Sequence, residues 1–373
     1  MEKILFLTGT RADFGKIKSL ISILEAHQEF EVYVFVTGMH LQKEYGYTLI
    51  EIERCNFSNV HTFENHTHET TMDLTLAKTI QGLSEYCKEV DPDMIVIHGD
   101  RVETLAGAIV GSLNNILVAH IEGGELSGTV DELIRHSVSK LSHIHFVSNI
   151  DAAKRLLQMG EMKSSIYTIG SPDIDIMFSD HLPNLKEVKE YYQIPFEKYA
   201  IVMFHPVTTE VNEMKEYVAN FVTALLDDNH NYVVIYPNND LGSQCIIENY
   251  KQLSQNSRFR IFPSLRFEYF LTLLKSSQFI IGNSSAGIRE APYYGIPIIN
   301  IGTRQQNRTL HADIINVGYD SKAIEKALKS IDCHHIQTSI SDFGKGNSAE
   351  LFLKSLLNPA IWKVNHQKQF RDI

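Results

Sequence analysis

The sequence predicts an α/β protein of two domains, each a parallel sheet covered by helices on both faces. Three observations carry this prediction. At 373 residues the chain exceeds the size at which a single hydrophobic core keeps growing. Short apolar runs rich in Ile and Val, most of them closed by Gly, Asn, Asp or Pro, alternate with segments of helix length almost throughout. Between residues 179 and 198 that alternation pauses in SDHLPNLKEVKEYYQIPFEK, a polar stretch with two prolines that reads as a connection between domains.

The runs are, in order, KILFLTG, EVYVFVTG, DMIVIHGD, NILVAHIEGG, HIHFVSN and SIYTIGSP within the first 172 residues. After the connection come YAIVMFHP, YVVIYPNND, FRIFPS, QFIIGNSS, IPIINIG and DIINVG. Near-continuous apolar strands are those buried on both faces, as in a parallel sheet. Segments 16–27 and 71–89 space their apolar residues as helices do. The domain boundary is expected near 172–195. The final stretch PAIWKVNHQKQF, with the only tryptophan, Trp362, is expected to form a helix that packs back on the body.

Hydrophobic content of 43% and charged content of 21% suit a soluble globular protein. A net charge of −11 argues against a nucleic-acid partner, although a few local arginines suffice to bind a diphosphate. Cys55, Cys87, Cys245 and Cys333 are scattered without a CxxC pair, which suggests reduced thiols and neither a zinc site nor a disulfide framework. The opening MEKILFLTGTRADFG is too short in apolar residues for a signal-peptide core, and no run approaches about 18 apolar residues. A cytoplasmic protein without a membrane partner is expected.

Ligands of open parallel sheets bind outside the carboxyl ends of the strands. The residues following the runs are therefore the candidates: GTRADFG, HGDR, HIEGGE, HPVTT, PNNDLG, PSLRFEYF, GNSSAGIRE and GTRQ. Arg11, Arg101, Arg266, Arg289 and Arg304 fall there, and converging arginines suit a diphosphate, though any one could serve a salt bridge. Ser284 and Ser285 either cradle a phosphate or cap a helix opened by GNSSAGIREA. Glu290 either bonds a ribose hydroxyl or stabilises the first turns of that helix. The aromatics of RFEYF either stack a base or pack a helix into the core.

HIEGGELSGTVDELIRH sets four carboxylates close together. Asp131 could complement a helix dipole behind a Thr129 cap, and Asp100 could cap the helix that begins near Arg101. Glu122 lies between apolar neighbours and is hard to explain as surface, whereas Glu125 and Glu132 are expected to face solvent. Clustered carboxylates push their pKa values apart, which suits proton transfer. Metal ligation is disfavoured, because HxE here lacks a PCxxC partner and no HExxH occurs. His205 is open to a structural, phosphate-binding or proton-transfer role.

Together GTRADFGK, VTGMHL, IHGDR, HIEGGELSGTVDELIRHSVSKLSHIH, GSPD, FHPVTTE, YPNND, FPSLRFEYF, GNSSAGIREAP and GTRQ resemble the hydrolysing UDP-N-acetylglucosamine 2-epimerases of bacterial sialic acid biosynthesis, and the epimerase half of the human bifunctional enzyme. The resemblance spans essentially the whole chain. It implies two Rossmann-like domains with a central cleft, as in GT-B glycosyltransferases: 1–172, completed by a C-terminal helix 358–373, and a UDP-binding domain 173–357. It implies catalytic positions at Asp100, Glu122, Asp131 and His205. Arg11, Arg101, Arg135, Asn238, Ser284, Ser285, Glu290 and Arg304 then contact substrate, with Leu265 holding uracil through its backbone. No cofactor or metal is implied, and a homo-oligomer, dimer or tetramer, is expected. Two rival activities remain at this point: the same chemistry on UDP-2,4-diacetamido-2,4,6-trideoxyglucose in legionaminic acid biosynthesis, and a GT-B glycosyltransferase. A non-catalytic UDP-sugar sensor would have no use for the carboxylate cluster.

Overall fold

The computed structural model describes residues 1–66, 71–127, 130–180, 182–306, 314–331, 343–369 and 371. The chain folds into two units, Met1–Glu125 with Asp131–Ser179 and Asp342–Ile373, and Leu126–Val130 with Asp180–Ser341.

In the first unit the apolar runs become β1 (Glu2–Thr8), β2 (Phe30–Val36), β4 (Met94–His98), β5 (Leu117–Ile121), β6 (Ile144–Val147) and β7 (Ile166–Thr168). A short edge strand, β3 (Val60–Thr62), joins them. The sequence gives no sign of β3, because an edge strand is not buried on both faces and needs no continuous apolar run. The order is β3-β2-β1-β4-β5-β6-β7, with every pair parallel.

The second unit holds β8 (Ala200–Met203), β9 (Tyr232–Ile235), β10 (Phe259–Phe262), β11 (Ile280–Gly282), β12 (Ile298–Ile301) and β13 (Ile315–Val317), in the order β10-β9-β8-β11-β12-β13. All of its pairs are parallel too. Both sheets thus repeat the doubly wound order in which connections diverge from a central strand pair. The crevice lies at that point of divergence, β1/β4 in one unit and β8/β11 in the other.

Each sheet has its own core. Ile4, Phe6, Val34, Val96, Ala119 and Phe146 anchor the first, and Val202, Phe204, Phe221, Val234, Ile281 and Ile299 the second. The polar stretch 179–198 is not merely a connection. It contains the helix Leu185–Tyr191, whose N-cap Asn184 accepts the Glu187 N–H and whose Val188 is buried.

The C-terminal helix also differs from expectation. It spans Ser348–Leu356, and its Phe352 and Leu356 join the first core. The described part of 358–373 holds only a 3₁₀ turn, Ile361–Lys363. No apolar residue follows over 365–369, so no amphipathic helix is sustained there. Trp362 nonetheless packs on the first core and donates its indole N–H to Leu356 O at 2.8 Å. Among the described residues no helix is long and apolar enough to cross a membrane.

Candidate active site

The turn after β1 is fixed by its own side chains. Thr8 Oγ1 donates to Asp13 Oδ1 at 2.6 Å, and the Gly9 and Thr10 N–H groups donate to the same carboxylate at 3.0 Å. Thr10 Oγ1 accepts the Asp13 N–H in return, a reciprocal cap that starts the helix Arg11–Glu25. His40, buried against this turn, lies 3.0 Å from Thr8 Oγ1 and 2.8 Å from Thr48 Oγ1. Burial pushes its imidazole down to about 4, so it is neutral at pH 7. Gly38 must be glycine: at φ +64° a Cβ would sit 2.5 Å from Gly9 O. Arg11 therefore opens its helix from a rigid turn.

Four carboxylates of the first unit, Asp100, Glu122, Glu125 and Asp131, act on one buried cation. Arg135, 2% exposed on the helix Val130–Leu141, pairs with Asp100 and donates to Glu125 O at 3.2 Å. Burial alone would lower its pKa, but the charges of Asp100, Glu125, Asp131 and Glu122 outweigh burial and raise it. Asp100 does not cap the helix Val102–Leu113, where Arg101 occupies the cap position without a side-chain bond. Arg101 Nε instead lies 3.8 Å from Glu103 Oε2. Asp131 sits in the first turn of its helix, whereas Thr129 lies outside the described residues. Glu125 corrects the expectation of a solvent-facing side chain. It is buried and accepts the Ser148 hydroxyl at 2.7 Å, because the turn at Gly123 and Gly124 directs it inward. Glu132 is half-buried, 3.4 Å from His136 Nε2.

Glu122 ends β5 with φ +67°, a left-handed conformation rare for a side chain of this kind. Such strain costs on the order of 1 kcal/mol and concentrates at functional sites. Glu122 is only 5% exposed. Oε1 accepts from Ser171 Oγ at 2.5 Å and lies 3.5 Å from Lys16 Nζ, while Oε2 is 3.3 Å from His98 Nε2. Lys16 Nζ is also 3.5 Å from Asp173 Oδ2. Nearby His120 is structural: it bonds Gly99 O and Ser139 Oγ, and burial holds it neutral, its pKa lowered to about 3. The sequence reading missed Lys16, His98, Ser171 and Asp173 as individuals. Each nonetheless belongs to a strand-end motif already singled out, GTRADFGK, IHGDR or GSPD.

The second unit gathers amide and imidazole groups alongside fewer buried charges. Asn283 clamps the backbone of His205, accepting its N–H at 2.6 Å and donating to its carbonyl at 2.8 Å. His205 Nδ1 accepts the Asn238 N–H at 3.0 Å, so the neutral ring carries its proton on Nε2 and presents it as a donor. The Asn238 side chain donates to Asp240. Arg304 and Gln305, after β12, reach Asn283 O at 3.4 and 2.8 Å. Thr303 and Tyr319 both bond the Glu210 carboxylate, at 2.5 and 2.7 Å, which ties the loop after β12 to the loop after β8.

Ser284 and Ser285 precede a helix of only four residues, Ala286–Arg289; Ser284 Oγ accepts the Ala286 N–H at 3.3 Å, whereas Ser285, at the N-cap, makes no side-chain cap bond. Pro292 disfavours helix just before it, so the chain turns into 3₁₀ at Ala291–Tyr294. The buried Glu290 sits at the junction and not in a first helical turn. Leu265 is buried directly after β10. The aromatics of RFEYF lie on the helix Phe267–Lys275 with Phe267, Tyr269 and Phe270 buried, so they pack the core, and Arg266 stacks over the Tyr269 ring at 4.6 Å. Cys87 is buried and its thiol pushed up to about 12, Cys55 and Cys245 are half-buried, and Cys333 lies outside the described residues. Among the described residues no group of three or more His, Cys, Asp and Glu is arranged to hold a metal ion.

Comparison with known proteins converges on one family. The family described as UDP-N-acetylglucosamine 2-epimerase matches residues 22–357. A UDP-N-acetylglucosamine 2-epimerase of Neisseria meningitidis serogroup B is 49% identical over 100% of both chains. The polysialic acid biosynthesis protein P7 of Escherichia coli is 33% identical over 100% of this chain and 98% of its own. A hydrolysing UDP-N,N'-diacetylbacillosamine 2-epimerase of Legionella pneumophila is 33% identical over 88% of each. Among solved structures, the Methanocaldococcus jannaschii UDP-GlcNAc 2-epimerase in complex with UDP-GlcNAc and UDP superposes with a TM-score of 0.80 at 22% identity, covering 96% of this chain and 99% of the other. That likeness shows the shared two-domain α/β fold, of the GT-B-like kind. By family match and full-length identity, the chain belongs to the UDP-N-acetylglucosamine 2-epimerase family.

Proposed function

We propose that the protein is a hydrolysing UDP-N-acetylglucosamine 2-epimerase that converts UDP-GlcNAc and water to N-acetylmannosamine and UDP for sialic acid biosynthesis. One observation supports the chemistry above the others: a buried, strained Glu122 beside the Asp100–Arg135 pair, with Asp131 one helical turn away from Arg135. The substrate assignment rests on the 49% identical Neisseria relative, and the pathway on the relative named for polysialic acid biosynthesis.

The reaction is a pair of balanced steps. A carboxylate takes the proton from carbon 2 of the sugar while the bond from carbon 1 to the diphosphate breaks, releasing UDP and leaving 2-acetamidoglucal. Water then adds across the double bond. Its hydroxyl goes to carbon 1 and a proton returns to carbon 2 from the opposite face, which gives the manno configuration. Glu122 and Asp131 carry these protons, and Asp100, locked to Arg135, positions them. In the second unit His205 offers its Nε2–H to the departing diphosphate. Arg11, Arg101, Arg135, Asn238, Leu265, Ser284, Ser285, Glu290 and Arg304 hold the nucleotide sugar. The chemistry requires neither cofactor nor metal, and we place the enzyme in the cytoplasm as a homo-oligomer.

The Legionella relative favours a second reading, the same hydrolysis on a 2,4-diacetamido-2,4,6-trideoxy sugar. Incubation with each UDP-sugar separates the two: free N-acetylmannosamine from UDP-GlcNAc supports the first. Release of UDP only when a sugar acceptor is added would instead identify a glycosyltransferase.

A further inference from the structure

The turn after β7, Gly170-Ser171-Pro172-Asp173, is outside every role assigned above, yet it touches the reaction's central carboxylate. Ser171 and Asp173 are both fully buried. Ser171 donates to Glu122 Oε1 at 2.5 Å, and Asp173 lies 3.5 Å from Lys16, whose ammonium is in turn 3.5 Å from the same Glu122 oxygen. Oε1 thus faces two donors, and Oε2 lies 3.3 Å from His98 Nε2.

The turn is itself braced. The Ser171 N–H donates to Phe343 O at 2.5 Å, and Asp175 accepts the Ser348 and Ala349 N–H groups at 2.8 Å, the start of the last helix. Gly170, at φ +84°, leaves no room for a Cβ, which would meet Gly344 and Ser348 at 3.0 Å. The returning C-terminal segment therefore sets where Ser171 and Asp173 stand.

We infer that Ser171 and Asp173 are positioning residues that fix the orientation and charge of Glu122. The inference rests on Glu122 acting as a proton-transfer group. Ser171 stabilises the carboxylate by hydrogen bonding and so favours its ionised form. Asp173 acts in the opposite sense: it is a second buried negative charge, and it draws the Lys16 ammonium away from Glu122. Removing the two groups must therefore move the Glu122 titration in opposite directions. A role limited to holding the fold together predicts no such opposition.

The test compares Ser171→Ala and Asp173→Asn with the parent enzyme. Each variant is expected to lose about 10–100-fold in kcat, the usual cost of a misplaced catalytic group, with KM and UDP affinity within about threefold. The limb of the pH profile that disappears in Glu122→Gln should move up by about one pH unit or less in Ser171→Ala and down by a similar amount in Asp173→Asn. Carboxyl-carbon NMR of labelled glutamate, with the Glu122 signal assigned by Glu122→Gln, reads the same opposed shifts without turnover. A parent protein that does not turn over UDP-sugars overturns the functional reading, and the NMR titration then decides the charge arrangement. Variants that bind UDP normally but show unshifted or parallel titrations overturn the inference. If Asp173→Asn fails to fold, Ser171→Ala, which removes one oxygen, decides by its upward shift or the lack of one.

Discussion

The carboxyl ends of β1, β4, β5 and β7 carry buried charges: Asp13, Lys16, Glu103, Glu122 and Asp173, with Arg135 from the helix after β5. In the second unit the carboxyl ends of β8, β9, β11 and β12 are furnished mainly with His205, Asn238, Asn283, Ser284 and Gln305, with Asp240, Arg289 and Glu290 as the buried charges. Strand order is the same in both units up to the extra β7, so the difference lies in the side chains and not in the scaffold. Charges taken out of water persist only when paired, and the first unit interleaves Lys16 and Arg135 with its carboxylates accordingly. Amide, imidazole and backbone donors recognise an anion without burying a pair of charges. Under the proposed function, proton transfer falls to the first unit and diphosphate recognition largely to the second.

The largest expected effect follows from removing the charge at the centre of the first unit. Glu122→Gln keeps the shape and should lower kcat by about 10²–10⁴-fold, and Asp131→Asn similarly, while calorimetry finds UDP binding largely kept. A Glu122→Gln variant that also loses UDP would break the division between the units. Next comes Arg11→Ala, which should weaken UDP binding by about 1.5–3 kcal/mol if the first unit also contributes to the diphosphate. Parent-like affinity would sharpen the comparison, confining diphosphate recognition to the second unit. Asn283→Ala in the second unit removes both bonds to the His205 backbone and should cost about 1–3 kcal/mol of stability in a urea titration.

The smallest effect is a pH dependence away from the site. Burial alone would raise the Glu161 pKa, but hydrogen bonds from His145 and the Lys368 ammonium outweigh it and lower the value to about 2. A depressed carboxylate stabilises the fold fully above its unfolded value near 4.5, and that contribution is lost as pH falls toward 2. In Glu161→Gln the drop in melting temperature relative to the parent should therefore be present at pH 7 and shrink between pH 4.5 and 2. An unchanged gap across that window would contradict the assignment.

The central strands were legible because burial on both faces forces continuous apolar runs, as in DMIVIHGD and QFIIGNSS. Strand β3 was not, since Val60 and Thr62 are exposed at an edge. The strand-end rule located Asp100, Glu122 and His205. It could not show that Lys16, one turn into the first helix, meets Asp173 beyond β7, because that contact joins segments 157 positions apart. Polarity misled at Glu125, where a buried hydroxyl partner, Ser148, is remote in sequence. The C-terminal helix was placed too late, for Phe352 and Leu356 carry the amphipathic face and the tryptophan does not.

The central claim, hydrolytic epimerisation through carbon 2, is tested most directly by one NMR time course of the purified protein with UDP-GlcNAc in deuterated water. The account predicts equal amounts of UDP and free N-acetylmannosamine, with deuterium at carbon 2 of the sugar. UDP-linked product without release of UDP, or free sugar that keeps its original hydrogen at carbon 2, would contradict it.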